Sequence, residues 1–468
     1  MTKSKTYKTK GAAAIVTAAV LALIALFGMT ACSNAAQPDA GGNSAGTSTP
    51  KYTIHFSVRS GLGTFKAAVD GKEIHTGDSV EQGKSIVFTA EPDSGYEVGQ
   101  WTNGGTVIDE AGTDKTYTHT VTANAFIRVK FVLPAPFVEG GASLILSPDK
   151  LDITVKGTTA DGTSVSVEGC TETTLISGTA TVLHAKSTKV ILKGKITELD
   201  CNRNQLTALN VQGLTALQGL NCWGNQLTAL DVQGLTALQG LNCWGNRLTE
   251  LNVQGLTALQ GLSCFANQLT ALNVQGLTAL QVLFCVGNRL TELNVQGLTA
   301  LQRLSCSGNR LTALNVQGLT SLQELWCSGN ELTALDVQGL TSLQELWCSG
   351  NELTALDVQG LTALQSLDCH LNQLTALNVQ SLTALQRLWC YGNRLTADAF
   401  KKLFDDLPVR ADSDNASCYL YTEQTGDTEG NHTYFSAPSD LADAFNNAKT
   451  VKKWKMYKVN GSGNFSEI

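Results

Sequence analysis

Residues 196–396 repeat themselves with a strict period of 21 residues. The unit reads LTALQxLxCxxNxLTALDVQG, and its cysteine recurs at 201, 222, 243, 264, 285, 306, 327, 348, 369 and 390. An asparagine follows each cysteine three positions later. A single coil of this length has no second layer against which to bury its leucines, so the coils must stack on one another. The period therefore predicts a solenoid of ten repeats.

Each repeat divides into a strand and a return segment. Leu220 and Cys222 point inward with the other regularly spaced apolar side chains, and burial of each large aliphatic group contributes roughly 1.5–3 kcal/mol. Triplets such as 220–222 are expected to stack as parallel strands about 4.8 Å apart. The second half of the unit, LTALDVQG, is expected to be extended, because the short period leaves little room for a helix.

The repeat resembles the leucine-rich-repeat pattern LxxLxLxxN, with cysteine in place of the last leucine. It is most similar to the repeats of bacterial surface leucine-rich-repeat lipoproteins, spirochaetal ones in particular, and more distantly to the internalins. The resemblance implies a recognition scaffold whose asparagine side chains bond the backbone of adjacent coils, as buried amides require. These structural asparagines are Asn225, Asn246, Asn267, Asn288, Asn309, Asn330, Asn351 and Asn372.

The cysteine column has two interpretations. Ten thiols in an exported chain suggest disulfides or metal binding. Side chains that are in register on stacked strands, however, keep their β-carbons about 4.8 Å apart, whereas a disulfide needs about 3.8 Å. We therefore predict that the column is ordinary buried core. Cys170 and Cys418 are expected to lie outside the column, one in each cap.

The N-terminus is typical of an export signal. Four lysines precede the apolar stretch GAAAIVTAAVLALIALFG, and Met29-Thr30-Ala31-Cys32 resembles a lipobox in which Cys32 is lipidated. We predict a lipoprotein signal peptide at 1–31 and a flexible tether at 32–50. The chain would then be anchored in a membrane through the lipid on Cys32, at the outer membrane or cell surface. The alternative is an uncleaved membrane anchor.

Residues 51–133 are expected to form a small all-β module. Alternation is clear in 52–58 and 85–90, and 126–131 reads as a closing strand. The turn spacing and the run from Ala90 to Tyr96, leading to Trp101, resemble the divergent B-repeat module of internalin-type surface proteins. That resemblance implies a spacer or a weakly adhesive unit. A linker at 134–140 follows.

The ends of the solenoid need caps, because an open end exposes apolar surface and strand edges. We assign residues 141–195 as the N-terminal cap and residues 397–468 as a small α+β C-terminal cap. A helix is predicted at 397–407, a second near 441–448 and a strand at 454–459. The predicted fold is thus a leucine-rich-repeat solenoid, mostly strand and coil with a curved parallel sheet, between an all-β module and an α+β cap.

Aromatic residues flank the cysteines on the outward side of the predicted sheet. Five of the seven tryptophans lie there, although leucine already fills the core. We predict two clusters, one near the N-terminal end and one that Phe284 bridges towards. The first holds Trp223, Trp244 and Phe265, and the second holds Trp326 and Trp347 with Trp389 and Tyr391 beyond. The alternative is duplication, because the seventh and eighth repeats are identical and Trp347 copies Trp326.

Charged residues accompany the aromatic ones and are expected to tune specificity. They are Arg303, Glu324, Glu345 and Arg387. The net charge is −7 and no basic run follows the N-terminus, which argues against a nucleic-acid partner. The six histidines are scattered without metal-ligand or catalytic spacing, so we expect no metal, no cofactor and no enzymatic activity.

Exposed aromatic patches mark recognition surfaces. The sequence therefore predicts a non-enzymatic surface adhesin whose concave face binds a host or neighbouring-cell protein. A glycan- or cell-wall-binding module is the alternative, because tryptophan rings also suit sugar faces.

Overall fold

The computed structural model describes residues 49–60, 63–93, 96–132, 140–424, 426 and 429–468. The predicted signal peptide, Cys32, the tether up to residue 48 and the predicted linker except Gly140 lie outside the described residues. Residues 50–468 form one compact unit. Within the described part, no helix is both long enough and apolar enough to cross a membrane.

The N-terminal β-module is a pair of sheets packed around an aromatic core. Its strands are β1 Lys51–Ser60, β2 Gly63–Val69, β3 Lys72–Ile74, β4 Asp78–Glu81, β5 Ser85–Pro92, β6 Glu97–Asn103, β7 Thr106–Val107, β8 Thr116–Thr120 and β9 Ala125–Val132. The sheet orders are β4-β1-β9-β6-β7 and β3-β2-β5-β8. Phe88, Trp101 and Phe131 are fully buried between them. The three strands that alternation predicts are present as β1, β5 and β9.

Residues 141–200 connect this module to the repeats through further strands. They are β10 Gly141–Ile145, β11 Asp152–Thr159, β12 Val165–Glu168, β13 Thr174–Leu175, β14 Thr181–His184, β15 Lys189–Lys193 and β16 Ile196–Asp200. Strands β10, β12, β13 and β15 form with β17, Ala208–Asn210, the sheet β13-β12-β15-β10-β17, whereas β14, β11 and β16 begin the long solenoid sheet. β11 pairs with the first repeat strand, β16, in antiparallel fashion and so covers the edge of the solenoid sheet.

Each further repeat contributes one short strand to a long sheet. These strands are β18 Gly219–Asn221, β19 Gly240–Asn242, β20 Gly261–Ser263, β21 Val282–Phe284, β22 Arg303–Ser305, β23 Glu324–Trp326, β24 Glu345–Trp347, β25 Ser366–Asp368 and β26 Arg387–Trp389. Neighbours are parallel and in register, so equivalent residues form straight columns. In the described repeats the return segments consist of turns without a helix, as the short period predicts. Their glycines, such as Gly234 with φ near 82°, adopt the left-handed backbone that favours glycine.

The C-terminal cap prolongs the solenoid sheet. Its elements are α1 Ala397–Asp406, β27 Ser417–Thr422, α2 Ser439–Thr450, β28 Lys455–Val459 and β29 Phe465–Glu467. β27 and β28 continue the parallel order, and antiparallel β29 ends it. Both predicted helices and the strand near 454–459 are present. The other two strands lie outside the period and carry no repeat signal.

The β-module packs directly on the repeats. Ile145 and Ala208, from the N-terminal cap and the first return segment, share the hydrophobic core of the module. The Tyr96 hydroxyl donates a hydrogen bond of 3.0 Å to the carbonyl of Thr207. Arg59 and Glu250 form an exposed ion pair at 3.7 Å. Core packing, a hydrogen bond and an ion pair therefore connect the module directly to the solenoid.

Candidate functional site

The concave sheet exposes three columns of side chains. In β23 the flanking Leu325 and Cys327 are fully buried, whereas Glu324, Trp326 and Ser328 are only partly buried. This alternation follows from the period-two geometry of a strand. We call these columns first, second and third; they lie three residues before, one before and one after each cysteine. Because the repeats are in register, every aromatic or charged residue predicted to bind a ligand falls in one of them.

The predicted N-terminal cluster is a continuous stack in the third column. The rings of Trp223 and Trp244 are 4.6 Å apart and nearly parallel, and Phe265 follows 5.5 Å from Trp244. The Arg203 guanidinium lies 4.1 Å from the centre of the Trp223 ring and covers its outer face. Arg203 was missed by the sequence reasoning because it lies two residues after its cysteine. We call Trp223, Trp244 and Phe265 the first stack.

The second stack consists of Phe284, Trp326 and Trp347 in the second column. Trp326 and Trp347 stack at 4.7 Å, and Phe284 lies parallel to Trp326 at 6.4 Å. Phe284 and Trp326 are two repeats apart, and Ser305, on the strand between them, is 2% exposed. The bridging position predicted for Phe284 is present. Arg303 lies 5.9 Å from the centre of the Phe284 ring.

Trp389 and Tyr391 have other partners than we expected. Trp389 stacks on Tyr419 at 5.2 Å, and Tyr419 stacks on Tyr457 at 5.0 Å. Asp368 occupies the second column between Trp389 and the second stack. Tyr391 stacks on His370 at 4.4 Å instead. The sequence missed Tyr419 and Tyr457 because these cap strands join the sheet at irregular spacing.

Charged and polar side chains line the sheet beside the second stack. Arg387 reaches across one repeat to Glu345 at 3.7 Å, and both lie in the first column with Arg303 and Glu324. This exposed pair contributes little to stability and mainly sets the charge pattern. A separate chain of bonds runs from the Ser349 hydroxyl, which donates to Asp368 at 3.2 Å, to His370, whose Nδ1 is 2.5 Å from that carboxylate.

Three polar groups around the second stack lack partners. Trp326 Nε1, Trp347 Nε1 and the Ser366 hydroxyl are buried and have no hydrogen-bond partner among the described residues. Each such group lowers the free energy of unfolding by about 1–3 kcal/mol, because it loses its hydrogen bonds to water and gains none in the protein. Leucine in the two tryptophan positions would avoid that cost. Unpartnered buried polar groups of this kind are typical of positions that serve binding.

The asparagine column has the structural role that the resemblance implies. Asn288 Nδ2 donates to the carbonyls of Cys264 and Cys285, both at 3.0 Å, and its Oδ1 accepts from the Leu269 N–H at 3.0 Å. The same pattern recurs along the column, with small variations. It is present at Asn225, Asn246, Asn267, Asn309, Asn330, Asn351 and Asn372. These side chains tie neighbouring coils together and are unavailable to a ligand.

The ten cysteines of the repeats are buried and unpaired, as predicted. Burial raises the pKa of Cys264 and of Cys306 to about 12, so both thiols stay protonated and unreactive at neutral pH. Cys418 lies outside the column, in the C-terminal cap as predicted, because its strand places it in register with Leu388. Its contact with the Cys390 thiol, together with burial, raises the pKa of Cys390. In the described part of the chain, no three His, Cys, Asp or Glu side chains are arranged to hold a metal ion.

Comparisons with known proteins agree with this architecture. A family model described as leucine-rich repeats in two copies matches residues 299–340 and 320–362, and one described as a divergent InlB B-repeat domain matches residues 64–133. Neither model describes a catalytic domain. A comparison with curated proteins gives no significant match.

The solved structures that are similar to this chain include those of three bacterial proteins. The functional domain of InlJ from Listeria monocytogenes, whose description includes a cysteine ladder, is 36% identical with a TM-score of 0.38. That match covers 43% of this chain and 50% of InlJ, so the chain spans half of that relative's length. An internalin of Listeria monocytogenes is 19% identical, covering 53% of this chain and 84% of the internalin, with a TM-score of 0.35. A leucine-rich-repeat protein of Leptospira interrogans is 22% identical, covering 55% and 82%, with a TM-score of 0.34.

The solenoid and its matching repeats define a leucine-rich-repeat protein. With the divergent B-repeat domain before the repeats, the chain matches an internalin-like leucine-rich-repeat protein.

Proposed function

We propose that the protein is a cell-surface adhesin that binds a protein of a host or neighbouring cell on its concave face. The observation that carries this proposal is the second stack, where two indole N–H groups are buried without partners. Tryptophan, tyrosine and arginine dominate the binding energy of protein interfaces. The concave face presents all three beside Glu324 and Glu345. A partner that covers this surface would gain apolar burial.

The predicted export signal and Cys32 support the surface location. They lie outside the described residues and rest on the sequence, where a positive start, an apolar stretch and a lipobox-like end follow one another. A lipid on Cys32 would hold the folded part at the membrane through the tether. Mass spectrometry of the membrane fraction tests this anchor, and an unlipidated, uncleaved N-terminus would contradict it.

The stacks are poorly suited to sugar stacking, which was the reason for the glycan alternative. Trp244 has a ring on each face, Trp223 and Phe265, and Trp326 likewise lies between Phe284 and Trp347. Sugars stack on open ring faces, and Trp244 and Trp326 each have a neighbouring ring on both faces. The partly buried edges remain for contacts with a protein.

The test is the double substitution of Trp326 and Trp347 with alanine in the full chain. Binding to immobilised matrix proteins and to host cells should weaken at least about 30-fold, because central interface tryptophans each contribute about 2 kcal/mol or more. A matched variant with phenylalanine at both positions keeps the stacked rings and removes the indole N–H groups, so it should retain part of the affinity. Circular dichroism and thermal unfolding verify the fold. Unchanged protein binding by the alanine variant would refute the proposal.

A further inference from the structure

The N-terminal half of the concave face contains a groove of about 550 Å³ that crosses the strands from β16 to β21. Its floor is the first column, where Gly219, Gly240 and Gly261 follow one another in register. A β-carbon placed on Gly240 or Gly261 would meet no atom within 4 Å. The groove is therefore open space above the sheet, within the size range of small-ligand sites.

The fold itself does not require these glycines. In the next repeats the same column carries Val282, Arg303 and Glu324 with the same strand pairing. None of the three groove glycines has a positive φ. Three successive repeats thus lack a side chain where the others carry one, and this absence creates the groove.

The side of the groove is lined by neutral polar groups in the second column. Asn221, Asn242 and Ser263 lie on adjacent strands, one per repeat. The Oδ1 atom of Asn221 is buried and has no hydrogen-bond partner among the described residues. Charged side chains, Glu198 and Lys156 among them, line only the end nearest the N-terminal cap. The middle of the groove offers amides and a hydroxyl without net charge.

Amide and hydroxyl groups both donate and accept hydrogen bonds, as sugar hydroxyls do. The groups recur once per strand, at about 4.8 Å. An extended peptide repeats its main-chain groups on one side only every two residues, roughly 6.7 Å, so it cannot meet successive repeats in register. A nucleic acid would need a row of cations, which the middle of the groove lacks. A chain of pyranose rings presents hydroxyl groups on every ring, and each of them can both donate to and accept from the amides of the groove.

We propose that this groove binds a short neutral oligosaccharide, with the sugar rings over Gly219, Gly240 and Gly261 and their hydroxyls bonded to Asn221 and Asn242. This site is additional to the proposed protein-binding surface. It uses the first and second columns of the N-terminal half and ends at Phe284, whereas the paired tryptophans of the second stack lie farther along the sheet. The unpartnered Asn221 oxygen accepts one ligand hydroxyl.

The test screens the full chain against an array of neutral oligosaccharides and then measures affinity for chitotriose, cellotriose and maltotriose by calorimetry. Gly240→Arg fills the groove with a side chain that the fold already accepts at Arg303, and it should abolish measurable sugar binding. Asn221→Ala should weaken binding about fivefold, the value of one typical hydrogen bond. Glu324→Arg is the matched control in the same column outside the groove, and it should leave sugar affinity unchanged.

Absence of binding to every neutral oligosaccharide on the array would overturn the proposal, and so would full binding by a folded Gly240→Arg variant. If no sugar binds, and peptides from a library bind the chain but not the Gly240→Arg variant, the groove is a peptide site instead. The alanine variant of Trp326 and Trp347 separates the two sites. It should keep sugar affinity even where it loses protein binding.

Discussion

At the scale of single residues, one asparagine per repeat supports three main-chain groups. Asn288 shows the pattern, because its side chain bonds two carbonyls of adjacent coils and one N–H. Asn288→Ala leaves these three buried groups unpaired, at about 1–3 kcal/mol each. We therefore expect the free energy of unfolding to fall by at least about 3 kcal/mol, measured by urea denaturation.

The matched control is an asparagine of the next return segment. Asn294 is exposed, and its side chain accepts one bond from the Gln296 N–H in the same turn. Asn294→Ala should therefore cost less than about 1 kcal/mol. Equal losses at both positions would show that the column does not hold the coils together.

The positions of these residues follow from the sequence because the period fixes them. Once each cysteine is placed inward, strand alternation places Trp326 and Trp347 outward, and the structure shows both there. The groove over Gly240 was missed by the same reasoning, which looked for the side chains present in a column. The partners of Trp389 were also missed, since Tyr419 belongs to a strand without the period.

At the scale of elements, the cysteine column makes the repeats sensitive to alkaline pH. Burial raises the pKa of Cys264 and Cys306 to about 12, against about 8.5 in an unfolded chain. The folded state favours the protonated thiols. Their contribution to stability is therefore complete when the pH is below the pKa of the unfolded chain, and it is lost as the pH rises towards the pKa of the folded chain. Between pH 9 and 11, each thiol should lower the free energy of unfolding by about 1.4 kcal/mol per pH unit.

The measurement compares slopes of stability against pH. Cys264→Ala with Cys306→Ala should reduce the slope between pH 9 and 11 by roughly 2.8 kcal/mol per pH unit. Val274→Ala with Val316→Ala is the control, because these side chains are equally buried in the repeats but carry no titrating group. It should lower stability at every pH and leave the slope unchanged. An unchanged slope in the cysteine variant would contradict the assignment.

The elements of the caps were only partly predictable. The spacing of apolar residues predicts helix α1, which has Phe400, Leu403 and Phe404 on its buried face. Strand β27 depends instead on the edge of the last repeat, and β29 on the edge of β28, where unpaired main-chain groups are open to any segment that can reach them. That requirement is tertiary, and no local pattern encodes it.

At the scale of the whole molecule, the β-module and the solenoid share a core. Ile145 and Ala208 are buried among residues of the module, and Tyr96 is 7% exposed at the same boundary. Burial at this boundary raises the pKa of Tyr96 to about 12. The module therefore packs against the solenoid, and residues 50–468 form one compact unit.

This shared core predicts that the module and the N-terminal repeats unfold together, in one calorimetric transition. Tyr96→Ala removes the ring and its bond to Thr207, a loss of about 3–5 kcal/mol, and should split off an earlier transition for the module. Tyr52→Ala is the matched control, because Tyr52 packs against the module core and makes no bond to the solenoid among the described residues. It should lower the melting temperature without separating the transitions. Hydrogen exchange identifies which strands open first. A single transition in the Tyr96 variant would show that this residue does not hold the module on the solenoid.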